Sequence, residues 1–143
     1  MEMQHKLSQD AVRDFIFAGK ALFTVVNTRT GNRLTFKVTQ KTTKEGNKTP
    51  HFVSVMTGTD NLHHYSYIGI IGRGARFRTT RGSRLSDSDM RVKAFSWLWN
   101  RADSLPDFVE VWHHGRCGRC SRVLTMPESI ESGLGPICAS RMN

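Results

Sequence analysis

Only three cysteines, Cys117, Cys120 and Cys138, occur in 143 residues. An odd number excludes a framework in which every thiol is paired, and in a reducing compartment it points to metal ligation or a free thiol. Long apolar runs are missing: none approaches the roughly 20 residues needed to span a bilayer. The opening MEMQHKLSQDAVRDF lacks the charged-then-apolar layout of a secretion signal, so the expected location is cytoplasmic. No internal repeat or extended low-complexity segment is found, which excludes a repeat architecture. Acidic residues are scarce: 12 Asp and Glu stand against 21 Lys and Arg, giving a formal net charge of +9.

That charge is uneven. It is +5 over residues 1–50, +4 over 51–104 and zero over 105–143. A basic surface on the first part of the chain is suited to phosphate-rich partners. With 38% hydrophobic residues and aromatics spread along its length, the chain can build one ordinary core plus a small appended module.

The stretch SQDAVRDFIFAG reads as a short amphipathic helix, with Ser8 at the N-cap and Gly19 as its stop. Two β-branched runs around NTRTGN predict a hairpin over residues 21–40. HFVSVMTG and YSYIGIIG predict two further strands, and ARFRTT a fifth. The period then changes: Val92, Phe95 and Trp99 recur at helical spacing, predicting a helix over 87–103 that covers one face of the sheet. Pro106 breaks it. The expected fold is α+β, an antiparallel sheet packed by helices. Residues 1–104 are expected to form a basic α+β domain and residues 105–143 a C-terminal zinc-binding module.

Cys117-Gly-Arg-Cys120 has the spacing by which a tight turn brings two thiolates to one ion. Between it and Cys138 lies a T-x-x-E sequence, Thr125 to Glu128, with Pro127 in the first turn and Gly133 able to end the helix. A second helix start at Pro136 places Cys138 in its first turn, where free amides favour a thiolate. Tetrahedral zinc requires a fourth ligand, and His113 and His114 are the nearby imidazoles. Spacing alone leaves both open.

The segment resembles a small family of unknown function frequent in bacteriophages and mobile elements, whose pattern runs W-H-x-G-x-C-G-R-C-G-R-x-L-T-x-P-E-S-I-x-x-G-x-G-P-x-C-A. The matching residues run from Trp112 to Ala139, and Ser121 stands where the pattern has glycine. The resemblance covers residues 112–143 and selects His113 over His114. It implies a structural Cys3His zinc site made of His113, Cys117, Cys120 and Cys138, with Zn2+ bound in the cytoplasm of a bacterial host.

Enzyme readings are weaker. A zinc deaminase needs a glutamate two residues after its histidine and a P-C-x-x-C segment, and neither is present. His63 and His64 lack the acidic partners of a metal-dependent nuclease and read as loop or strand residues. The glycines of GIIGRGARF precede another strand rather than the helix of a phosphate-binding loop. Cys117 as a free nucleophile yields to its metal reading, so no catalytic residue is expected.

The segment GRGARFRTTRGSR carries Arg73, Arg76, Arg78, Arg81 and Arg84 without an acidic residue. Guanidinium groups bind phosphates bidentately, and this is the candidate nucleic-acid strip, with Arg116 and Arg119 extending it from the knuckle. Phe77 within it reads as core rather than as a base-stacking ring. The expected function is non-catalytic, zinc-binding and associated with DNA or RNA. The alternative is inhibition of a host defence complex, such as a nucleic-acid-guided nuclease, or of a host transcription complex through protein contacts. A small-molecule substrate is not expected.

Overall fold

The computed structural model describes residues 5–58 and 64–141, apart from the side chains of residues 73, 140 and 141. Strands are β1 (His5–Lys6), β2 (Lys20–Asn27), β3 (Arg33–Thr39), β4 (His51–Met56), β5 (Tyr65–Ile71), β6 (Phe77–Arg78) and β7 (Val109–His113). Helices are α1 (Val12–Ile16), α2 (Met90–Asn100), α3 (Pro127–Ser132) and α4 (Pro136–Arg141). The strands form one seven-stranded antiparallel sheet in the order β1-β7-β2-β3-β4-β5-β6. The fold is α+β, as expected. Among the described residues no helix is long and apolar enough to cross a membrane.

The β2–β3 hairpin forms where the sequence placed it. Asn27 Oδ1 accepts the amides of Arg29 and Thr30, and Gly31 takes a left-handed φ of 78° that closes the turn. The first helix is shorter than its sequence suggested. Ser8 makes no side-chain cap, a 3-10 turn over Gln9–Ala11 comes first, and one α turn follows before Gly19 at φ 121° ends the segment. Helix α2 begins later than residue 87 because the carboxylate that caps it is Asp89, which accepts the Arg91 amide at 2.9 Å. Ser86, three residues before Asp89 and also bearing the side chain of an N-cap, instead hydrogen bonds to Ser88.

Alternation along the strands produces two unlike faces. On one, Phe23, Phe36, Val38, Val53, Val55 and Val111 are buried together with Val12, Phe15 and Ile16 of the first helical segment and Val92, Phe95, Leu98 and Trp99 of α2. Side chains of this size each contribute about 1.5–3 kcal/mol on full burial. Phe77 belongs here, edge-on to Phe95 at 4.9 Å between ring centroids, in agreement with its core reading. The neighbouring positions in the registers lie on the other face: Lys6 opposite Trp112, Trp112 opposite Thr24, Leu22 opposite Lys37, Ser54 opposite Tyr67 and Met56 opposite Tyr65.

The division expected at 104/105 does not coincide with a break in the sheet. Strand β7 lies between β1 and β2, so the tail segment enters the main sheet before it reaches the cysteines. His63 falls outside the described residues, and His64 immediately precedes β5, its carbonyl accepting the Thr57 amide at 2.8 Å.

Candidate metal centre

After β7 the chain turns at Gly115, whose φ is 82°, and enters the knuckle. The Cys117 amide donates to the Arg122 carbonyl at 2.8 Å and the Ser121 amide to the Cys117 carbonyl at 2.9 Å, which folds Cys117 and Cys120 back towards one point. Ser121 adopts φ 67°, the left-handed conformation that glycine takes freely, at the position where the resembled pattern has glycine. Helix α3 then starts at Pro127 and ends at Gly133 with φ 74°, as the sequence signals indicated, although Thr125 makes no capping hydrogen bond there. Helix α4 begins at Pro136 and carries Cys138 into the group.

The three Sγ atoms lie within 4.8 Å of one another. Sulfurs each bonded to one tetrahedral zinc at about 2.3 Å sit roughly 3.8 Å apart, so a small contraction of this triangle would enclose the ion. Amides already point at the sulfur of Cys117, with Arg119 N–H at 3.4 Å and Gly135 N–H at 3.3 Å. Burial pushes the Cys117 thiol up, but these amides outweigh it and hold the group below its ordinary value. Cys138 is pushed up to about 11, first by burial and then by its thiol contacts with Cys120 and Cys117. Three negative sulfurs crowded together oppose one another, and a bound dication reverses that opposition. The donor set therefore fits a thiophilic metal.

His113 is placed differently from its expected role. It is fully buried, its Nε2–H donates to the Ile130 carbonyl at 2.6 Å, and its Nδ1 accepts the Gly115 amide at 3.0 Å. Both ring nitrogens are thus engaged. Among the described residues the metal-competent group is Cys117, Cys120 and Cys138, without His113. His114 projects to the other side of the strand, where its Nε2 lies 3.1 Å from Thr24 Oγ1. Burial is the main cause lowering the pKa of each imidazole.

The knuckle is seated on the main core. Gly118 donates to the Gly133 carbonyl at 2.8 Å, while its own carbonyl accepts the Lys20 amide of β2 at 2.7 Å. A Cβ added at Gly118 would stand 2.8 Å from the Phe15 ring, and one at Gly133 would stand within 2.9 Å of both Phe15 and Leu7. Sequence reasoning missed Phe15 as a support of the site, since nothing near the cysteines signals a ring from the first helix. Beside Cys120 and Cys138 opens a cavity of about 380 Å³, bordered by Val123, Met126 and Ile137, which remain 63%, 51% and 62% exposed.

Of the arginine strip, Arg76, Arg78, Arg81 and Arg84 are exposed, whereas the side chain of Arg73 lies outside those described. Arg116 is exposed and donates to the Ser121 carbonyl at 3.0 Å. Arg119 is half-buried, with its Nη1 enclosed and lacking a hydrogen-bond partner among the described residues. The two groups do not form one continuous strip. The knuckle is fastened to β2 and the first group begins around β6, four strands away or roughly 19 Å at ordinary strand spacing.

Neither a curated protein nor a solved structure matches the chain. Residues 111–143 match a family of unknown function, DUF6011.

Proposed function

We propose that the protein is a non-catalytic, zinc-binding, nucleic-acid-associated module of phage or mobile-element type. The convergence of Cys117, Cys120 and Cys138 carries the metal part of this reading. Three thiolates favour zinc among common biological ions, and the metal's role is to fasten the tail loops rather than to activate water. His113 is bonded to Ile130 and Gly115, so the ligands this reading names are the three thiolates. The +9 charge and the exposed arginines from Arg76 to Arg84 support a polyphosphate partner.

The test has two arms. Metal analysis of the purified protein should give one zinc per chain, and Cys138→Ser should lose it and lower the melting temperature. One tightly held zinc with unchanged melting in that variant would refute the site. Fluorescence anisotropy across a salt series should show binding to DNA or RNA. The paired substitution of Arg76 and Arg78 by alanine should weaken that binding and flatten the salt slope by up to about 1.8.

A second reading, inhibition of a host defence or transcription complex, draws on the exposed apolar side chains of Val123, Met126 and Ile137 around the cavity. Such a rim suits a protein surface better than a phosphate backbone.

A further inference from the structure

The helices that carry core residues, α1 and α2, pack on the Phe23 face of the sheet. On its opposite face Trp112, Phe52, Tyr65 and Tyr67 are all half-buried. Phe52 and Tyr67 have ring centroids 6.2 Å apart, and Lys37 Nζ sits 4.1 Å above the Tyr65 ring, so aromatic and cationic groups are interleaved. Arg78 joins this face through its pairing with Ile70, which in turn pairs with Phe52. Its described carboxylate is Glu110, already engaged by Lys6 at 3.2 Å and by the Trp112 indole at 3.2 Å. The loop after β6 borders Tyr67: Thr80 Oγ1 lies 2.8 Å from its hydroxyl, and the exposed Arg81 and Arg84 flank that contact.

We propose that this open face binds single-stranded nucleic acid, with the aromatic rings stacking on bases and Lys37, Arg78 and the bordering arginines holding the phosphates. The inference rests on the nucleic-acid reading above and specifies the surface and the strandedness. A positive face with one neutralised carboxylate complements a polyanion. Accessible rings on a rigid sheet stack on any unpaired base, but a duplex keeps its bases within the stack and offers no such partner.

The decisive experiment uses the zinc-loaded full chain labelled with 5-fluorotryptophan, titrated with oligo-dT, oligo-U and a mixed-sequence duplex. Trp112 lies on the open face, whereas Trp97 and Trp99 lie on α2 and report the fold. The expected result is a Trp112 fluorine resonance that shifts on adding a single strand, with the other two unmoved, and about a tenfold loss of single-strand affinity in Phe52→Leu. Comparison of oligo-dT with oligo-U separates DNA from RNA. Single-strand binding by anisotropy with an unmoved Trp112 resonance overturns the inference and leaves the nucleic-acid reading standing. Absence of binding to every polymer overturns both. If Phe52→Leu perturbs the Trp97 or Trp99 resonance, the unmutated chain's Trp112 response alone decides.

Discussion

The imidazole of His113 bridges the Gly115 amide and the Ile130 carbonyl, tying the end of β7 to helix α3 with a hydrogen bond at each nitrogen. Its removal strands two buried backbone groups, each costing about 1–3 kcal/mol. His113→Ala should therefore lower stability in urea unfolding by about 3 kcal/mol while the folded protein still carries its zinc. A variant that keeps its stability but loses the metal would make His113 the fourth ligand.

Ser121 holds a left-handed backbone conformation at φ 67°. An L side chain costs roughly 1–2 kcal/mol there relative to glycine, offset partly by glycine's greater freedom when unfolded. Ser121→Gly should raise stability by about 0.5–1 kcal/mol, seen as a higher melting temperature at equal zinc content. A lower melting temperature would show that the serine side chain is needed.

Gly118 lies against Phe15, which is fully buried beside Phe23 and His113 and has little room to yield. Gly118→Ala should destabilise the chain by about 1–3 kcal/mol through overpacking. Because Phe15→Leu opens that contact, the two changes together should cost less than the sum of each alone. Strict additivity in the double-mutant cycle would mean that the ring and the knuckle do not meet.

His51 lies under Phe17, with ring centroids 3.7 Å apart, and its Nε2–H donates to the Phe17 carbonyl at 2.9 Å. Burial lowers its pKa from 6.5 despite that hydrogen bond, and Lys48 adds to the lowering. The unfolded chain thus takes up this proton at a higher pH than the folded one. The His51 contribution is fully present above the unfolded value and is lost as pH falls through the folded value, where it levels off. Urea midpoints should drop as pH falls below about 7.5, and His51→Gln should shrink that drop. His113 and His114, also lowered chiefly by burial, act in the same direction. An undiminished pH dependence in His51→Gln would remove His51 from the effect.

The cysteine triad was legible because C-x-x-C spacing and a proline-led helix start are local signals, and the backbone follows them at Pro127, Gly133 and Pro136. The role of His113 was not, because its acceptor is a main-chain carbonyl, and carbonyls are the same at every residue. Similarly, alternation placed β2 to β5 but said nothing of β7 passing between β1 and β2, since pairing partners 90 residues apart leave no periodic trace. The late start of α2 reflects a choice between neighbouring caps, Ser86 and Asp89, that only the folded contacts decide.

The position of β7 also sets an order of events during synthesis. Strand β2 acquires β3 as soon as its hairpin emerges, yet its other edge remains open until Val109–His113 has been made. Strand β1 has no neighbour before that moment, because β7 is its partner. A ribosome stalled anywhere before residue 109 therefore holds a nascent sheet with β2 unprotected, able to pair with a strand from another chain.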